Sequence, residues 1–268
     1  MKAFAGIGLL VVVLGAQGAL PSNPAPIASV RYRGQPAGVP RAEDLAEIRA
    51  AGFSALTWPA GDPAGIEGLR RLADKAGLAV VIESDSTPLT LALALKQQAF
   101  VDVRANDVRP ETIAPMVWRA IAHGARVVSF NPRRREGTGL LDTSQHRPGW
   151  AAPAAEIARQ LRVNGTLFGQ CQAGPAVTVD DRDRAGLDVT LDVTLLEARK
   201  SWVLVATNGS NVRARAMVHL PAGIPYALWL NLLDGSTMAM LDQSTGPQWS
   251  LDIERWGLRI YVIDKTLK

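Results

Sequence analysis

The stretch RPETIAPMVWRAIAHGARVVSFNPRR, residues 109–134, decides how the first half of the chain is read. Pro110 suits the first turn of a helix, where its missing N–H leaves no hydrogen bond unmade. The segment Glu111–His123 then carries apolar residues at helical spacing, and Gly124 stops it. Ala125–Phe130 (ARVVSF) follows as a short, continuous apolar run, the pattern of a strand covered on both faces. One helix, one glycine and one buried strand make a single α-to-β step.

Working outward, the same step recurs. Ser29–Tyr32 is a candidate strand, and Arg41–Ala51 (RAEDLAEIRAA) a helix with Leu45 and Ile48 on one face and Gly52 as its stop. Phe53–Trp58 (FSALTW) reads as a strand. Asp62 caps, and Pro63 opens, a helix that turns Ile66, Leu69, Leu72 and Ala73 inward until Gly77. Leu78–Glu83 is a strand, Thr90–Gln98 a helix and Phe100–Arg104 a strand. That gives five strands and four connecting helices. Such alternation with near-continuous apolar strands argues for parallel pairing beneath a helical layer. A closed eight-stranded barrel usually needs about 250 residues. This part of the chain is shorter, so the reading is a reduced or open barrel.

The pattern changes near Gly165. Beyond Val177 the chain alternates strand and turn. In Val212–Leu220 the residues Val212, Ala214, Ala216, Val218 and Leu220 share a face opposite Arg213, Arg215 and His219. Asn208-Gly209 and Asp234-Gly235 are turn pairs. This is an antiparallel sandwich or partial barrel, and Trp150–Arg162 is the helix leading to it.

Composition bounds the rest. The chain has 268 residues, 47% of them hydrophobic, enough to bury a large core. Its N-terminus, MKAFAGIGLLVVVLGAQGAL, has one basic residue (Lys2), an apolar stretch from Phe4 to Leu14 and small residues at Ala16, Gly18 and Ala19. That is the layout of a secretory signal, with an uncleaved anchor as the alternative. The expected location is secreted or periplasmic. Pro21–Ser29 (PSNPAPIAS) reads as a spacer. The single cysteine, Cys171, forbids an intramolecular disulfide and reads as a buried thiol. A formal charge of +4 comes from an arginine excess with a run at Arg133–Arg135. With no RNA-binding or helix-turn-helix pattern beside it, the run suits an anion-facing loop better than nucleic acid.

The helix and strand of residues 109–134 resemble the last βα unit of clan-A glycoside hydrolase barrels, especially the beta-galactosidase type. A helix and a small all-β C-terminal domain follow in those enzymes. Here Ala151–Leu161, WVLVATN (Trp202–Asn208) and RWGLRIYVI (Arg255–Ile263) are similar to them. The resemblance implies an α/β plus all-β chain: a shortened or open (β/α) TIM-like barrel followed by an antiparallel β-sandwich. The expected segments are 1–19 (signal peptide), 20–29 (linker), 30–164 (reduced barrel) and 165–268 (sandwich). It also implies a nucleophile at the end of a barrel strand, which VVIES (Val80–Ser84) would place at Glu83. The family's Asn-Glu acid/base pair is absent, and its Trp-Arg stands here as Pro132-Arg133.

Glycoside hydrolysis needs two carboxyl groups about 5–10 Å apart. At strand C-terminal ends, where such sheets gather ligand groups, Glu83, Asp85, Asp102 and Asp107 qualify. Alternation puts Ala79, Val81, Glu83 and Asp85 on one face, and Phe100, Asp102 and Arg104 on one face. Glu83 and Asp102 are therefore the candidate catalytic pair. Trp58, Asp85, Arg104 and Arg133 are candidate sugar-contacting residues. The ordinary alternatives stay beside them: strand-end carboxylates cap helices or pair with arginine, and tryptophans pack between layers.

His123, His146 and His219 form no metal spacing, and the aspartates Asp180, Asp181, Asp183 and Asp188 read as a boundary turn rather than a calcium loop. Asn164-Gly165-Thr166 and Asn208-Gly209-Ser210 fit the glycosylation triplet and are read as surface turns. With no phosphate loop, nucleophile elbow or dinucleotide fingerprint, no cofactor is expected. The expectation is an exported protein that hydrolyses O-glycosyl bonds or, as a non-catalytic relative, binds carbohydrate or a partner protein. No nucleic acid and, after signal cleavage, no membrane are expected as partners.

Overall fold

The computed structural model describes residues 12–14, 25–31, 42–59, 63–83, 100–104, 109–131, 151–181, 191–224, 228–239 and 247–266. They form two compact units: Met1–Pro110 with Arg126–Val163, and Glu111–Ala125 with Asn164–Lys268. The expected helix at Thr90–Gln98 lies outside the described residues.

The first unit is built on strands β1 (Val12–Leu14), β2 (Ile27–Arg31), β3 (Ala55–Pro59), β4 (Ala79–Glu83), β5 (Phe100–Arg104) and β6 (Val127–Asn131). Their order across the sheet is β1-β4-β3-β2-β6-β5, and β2 to β6 pair in parallel. The winding direction is informative. The steps β2 to β3, β3 to β4 and β5 to β6 all run the same way across the sheet. A doubly wound sheet reverses direction at a switch point, whereas this one makes a single long return and pairs its last strand with its first. With right-handed crossovers, helices α1 (Ala42–Ala50) and α2 (Pro63–Ala76) then fall on one face as neighbours. They do adjoin: Leu45, Ala46 and Arg49 of α1 line one groove with Leu72, Lys75 and Ala76 of α2.

The sheet is open among the described residues. The three-residue β1 lies antiparallel to β4, with Val13 opposite Val81, and β5 has β6 alone as its neighbour. One face of the sheet packs strand against strand, as Ala55, Val81 and Val127 gather with Ile27 and Ala79. Ala28, Val30, Leu56, Val80, Val128 and Phe130 alternate with these residues and are also buried. Phe130 meets Phe53 edge to face at 5.5 Å.

The helix stops share one device. Gly52 takes φ 99°, and Phe53 N–H reaches back to the Ile48 carbonyl at 3.3 Å, a left-handed C-terminal cap. A Cβ there would also stand 2.8 Å from Arg159 Cγ. Gly77 ends α2 and Gly124 ends α3 (Pro110–Ala122) with the same wrap.

The chain passes from the first unit to the second inside α4, which runs Ala151–Gly169, well past the expected end at Arg162. Asn164-Gly165-Thr166 is therefore helical and not the surface turn expected of it. In the second unit, α3 contributes buried Ile113, Val117, Trp118 and Ile121, and Trp118 stacks obliquely on Phe168 at 4.9 Å.

Beyond α4 every pairing among the described residues is antiparallel. The strands are β7 (Gln172–Ala173), β8 (Thr178–Asp181), β9 (Leu191–Glu197), β10 (Ser201–Asn208), β11 (Ala214–His219), β12 (Leu228–Asn231), β13 (Thr237–Ala239), β14 (Gln248–Ile253) and β15 (Leu258–Asp264). One sheet is ordered β13-β12-β15-β10-β9-β7 and the other β14-β11-β8. Leu195, Leu204, Trp229, Tyr261 and Ile263 of the first pack with Ala214, Val218, Trp249, Leu251 and Ile253 of the second. That is the expected sandwich, and the inward face of Ala214, Ala216 and Val218 is the one their alternation indicates.

Candidate functional site

All five parallel strands are five residues long: IASVR, ALTWP, AVVIE, FVDVR and VVSFN. At the C-terminal end of the sheet the last residues are Glu83, Pro59, Arg31, Asn131 and Arg104, in the order of β4, β3, β2, β6 and β5. Asn131 pairs in register with Arg104, and Val30 with Phe130, so Arg31 and Asn131 follow side by side. An apolar sheet thereby presents a row of four charged or amide residues and one proline at one end.

Beneath the rim lies a layer of hydroxyls. The third residues of the strands are Ser29, Thr57, Val81, Asp102 and Ser129. Ser29 pairs in register with Ala55, so Thr57 lies diagonally across, and the hydroxyls of Ser29 and Thr57 share a hydrogen bond of 2.6 Å. Ser129 is opposite Ser29 on one side and Asp102 on the other. All three hydroxyl residues are fully buried. Ser29 Oγ also lies 3.4 Å from the Val128 carbonyl, while the Ser129 hydroxyl has no partner. A buried hydroxyl without a partner forfeits its water hydrogen bonds for nothing in the protein, so it invites a ligand or a bound water.

The candidate pair occupies opposite ends of this arrangement. Glu83 closes β4 and Asp102 lies in β5, with three strands between them. Four inter-strand steps amount to about 19 Å across a flat sheet. Asp102 and Arg104 share a strand, two residues apart. Trp58 is paired with Ile82, on the parity opposite to Thr57 and Glu83. Asp85 and Arg133 lie outside the described residues, as do Asp107, Trp150 and His146.

Polar side chains of the second unit pair with one another. His123 Nε2 lies 2.9 Å from Asp192 Oδ2, and Thr194 donates to Asp192 Oδ1 at 3.0 Å. Arg119 Nε is 3.2 Å from the same carboxylate, an ion pair whose N–H points off the hydrogen-bond line. Burial acts to raise the Asp192 pKa, but the His123 hydrogen bond and charge, with Arg119 and Thr194, outweigh it and hold the carboxyl below its usual range. His123 thus ties the end of α3 to β9. His219 makes the analogous bond to Asp180 at 2.8 Å, in the open. Among the described residues no group of His, Cys, Asp and Glu could hold a metal ion.

Asn208 is not the exposed turn expected of a glycosylation triplet. It is fully buried; its amide donates to the carbonyls of Val212 (2.7 Å) and Glu254 (3.0 Å), and its oxygen accepts from Ser210 N–H (3.0 Å). Cys171 is buried and its thiol donates to the Leu167 carbonyl at 3.3 Å, the inert setting expected of it.

No family model matches the chain, and no curated protein is similar to it in sequence. Solved structures offer weak likenesses. An endoxylanase of family GH30 from Clostridium papyrosolvens is 6% identical, covering 92% of this chain and 98% of its own, with TM-score 0.39. A candidate alpha-galactosidase/melibiase from Bacteroides fragilis is 9% identical over 91% and 80%, with TM-score 0.46. A β-L-arabinopyranosidase from Geobacillus stearothermophilus, in complex with arabinose, is 10% identical over 81% and 60%, with TM-score 0.36. At these values the likenesses decide neither family nor activity. The site stands on its own strand order.

Sequence reading passed over Ser29, Arg31, Thr57, Ser129 and Asn131. Their signal is present: aligned by their ends, four of the five strands carry a polar third residue, and four carry a charged or amide fifth. Each strand alone looks merely apolar, so the layer emerges only when they are stacked.

Proposed function

We propose that the C-terminal rim of the parallel sheet binds carbohydrate, in an exported protein of glycoside-hydrolase-like architecture. The observation that carries this reading is the rim itself. The parallel strands end in Glu83, Arg31, Asn131 and Arg104 at one end of a sheet wound in one direction, with the buried hydroxyls of Ser29, Thr57 and Ser129 two residues before the strand ends. Sugars are read by such mixed donors and acceptors, since each ring hydroxyl both gives and takes a hydrogen bond. The C-terminal end is also where singly wound sheets gather their ligands. Screening the mature protein against immobilised glycans and aryl glycosides tests the reading: retention should be lost in Asn131→Ala. A protein that retains no glycan, or whose variant binds as well as the parent, would sink it.

Two readings of this site differ in chemistry. Hydrolysis needs Glu83 and a second carboxyl within about 5–10 Å. The separation of β4 from β5 in the strand order favours binding without turnover. If Glu83 is the nucleophile, Glu83→Gln abolishes aryl-glycoside cleavage and leaves the melting temperature unchanged, because the amide keeps the shape. If the site only binds, the parent cleaves nothing on the panel while still retaining glycan. Export is a separate proposal. N-terminal sequencing of the exported protein should begin near Gly18–Leu20, and recovery of Met1 would argue for an anchor.

A further inference from the structure

We infer that the end of the sandwich where the chain passes between its two sheets is a second sugar contact, with Trp256 as the stacking ring. This shares with the reading above only the class of ligand, and it rests on residues of the second unit alone. β10 and β15 lie in the larger sheet and β11 and β14 in the smaller, so the chain crosses between sheets at 209–213 and again at 254–257. The two crossings are tied together. Trp256 N–H donates to the Ser210 carbonyl at 3.0 Å, Asn208 N–H to the Gly257 carbonyl at 2.9 Å, and the Asn208 amide to the Glu254 carbonyl at 3.0 Å.

The backbone at Trp256 favours a different residue. Among the described residues it is the one non-glycine at positive φ, 52°, where a bulky side chain is disfavoured and glycine is at ease. The turn keeps its glycine one position later, because a Cβ at Gly257 would stand 2.6 Å from the Glu254 carbonyl oxygen. Packing does not account for the indole. Trp118 stacks on Phe168, Trp249 on Tyr261, Trp229 lies in the sandwich core, and Trp202 packs against that core beneath Lys265. Trp256 is partly exposed and outside the sandwich core; among the described residues it meets no second ring, and its indole N–H has no acceptor. Strain held in place by a buried network, under a ring that secures none of the core, is the mark of a ligand contact.

The surroundings select the ligand. Glu254, Arg255 and Asn211, on the same two crossings, are exposed. A flat apolar ring with one N–H donor, edged by an acid, a guanidinium and an amide, matches a pyranose, which offers a C–H face bordered by hydroxyls. A protein partner would call for contiguous apolar surface. The exposed leucines of this unit, Leu228 and Leu230, belong to β12 and to neither crossing.

The test uses the full mature chain labelled with 15N-tryptophan, whose seven indole N–H signals include the one that disappears in Trp256→Gly. Xylo-, gluco- and galacto-oligosaccharides are titrated in turn. At least one should move the Trp256 signal, and calorimetric affinity for it should fall tenfold or more in Trp256→Gly while the melting temperature holds or rises. In Asn131→Ala the signal should still move, so failure at the parallel sheet and failure at the sandwich end are told apart. A Trp256 signal that no oligosaccharide moves would overturn the inference, whatever the rest of the protein binds. A lower melting temperature with unchanged affinity would make Trp256 a structural residue. A signal that moves with protein concentration alone would assign the ring to a second copy of the chain and overturn the sugar. Should Trp256→Gly not fold, Trp256→Asn, which also tolerates this φ, assigns the signal and repeats the comparison.

Discussion

The two units bury polar side chains differently. In the sandwich unit they sit in dense networks: Asn208 bonds three backbone groups, Asn231 accepts from Leu233 N–H at 3.1 Å, and Asp192 accepts from Thr194 and lies against His123 and Arg119, whose Nε has an ion pair but no hydrogen bond. In the parallel unit the hydroxyl layer is half engaged, with Ser29 and Thr57 bonded to each other and Ser129 to nothing. Satisfied interior polar groups lock geometry, because removing one strands its partners. An unsatisfied one contributes no such lock, and Ser129 lacks even the ion pair that Arg119 keeps.

The sharpest way to break this contrast is Asn208→Ala. The substitution leaves the buried Ser210 N–H without its acceptor and takes one donor each from the Val212 and Glu254 carbonyls, which keep Ser210 Oγ and Gly257 N–H. One stranded donor costs about 1–3 kcal/mol and each lost bond about 1 kcal/mol, so the sandwich should lose roughly 3 kcal/mol, partly relieved by water entry. The same turn holds Trp256 at φ 52°, with Trp256 N–H bonded to the Ser210 carbonyl, so loosening Asn208 also frees a strained residue. Chemical denaturation should show the loss. A change below about 0.5 kcal/mol would mean that the network is ornament.

Asp192→Asn should cost less, about 2 kcal/mol, because an amide keeps part of the hydrogen bonding while the ion pairs to Arg119 and His123 disappear. Its pH signature has a definite sign. The folded pKa of Asp192 lies below its usual value, so the protein's extra stability is present above about pH 4 and is lost as pH falls through the folded value. Parent and variant should therefore differ most at neutral pH and converge in acid. A gap that widens on acidification would remove Asp192 from the account of how α3 is fastened.

How much of this could be read from residues divides along the same line. The five parallel strands and the sandwich were legible, because apolar runs, glycine stops and period-two alternation are local signals. Gly52, Gly77 and Gly124 mark their helix ends as they stand. Asn208 and Asn164 misled for a physical reason: a triplet reports side-chain chemistry but not burial, and one Asn is sealed in a turn while the other lies in α4. The candidate pair Glu83 and Asp102 came from parity within each strand, which local alternation does supply. Their separation by three strands is a property of strand order, and nothing local in AVVIE or FVDVR encodes it.

The smallest expected effect tests the other side of the contrast. Ser129→Ala removes a hydroxyl that is fully buried and bonded to nothing, and leaves the neighbouring Ser29–Thr57 bond in place. No partner is stranded, the desolvation cost of the hydroxyl is relieved, and an atom's worth of packing is lost. These terms oppose each other, so stability should change by no more than about 0.5 kcal/mol, with the sign toward stabilisation. Affinity for the glycan retained by the parent should nevertheless fall about fivefold to tenfold, the worth of one hydrogen bond of about 1 kcal/mol. Thermal melting and calorimetric titration of the same preparation read both quantities. Lost stability with unchanged affinity would show that Ser129 is an ordinary core residue, and the distinction between the two units would close.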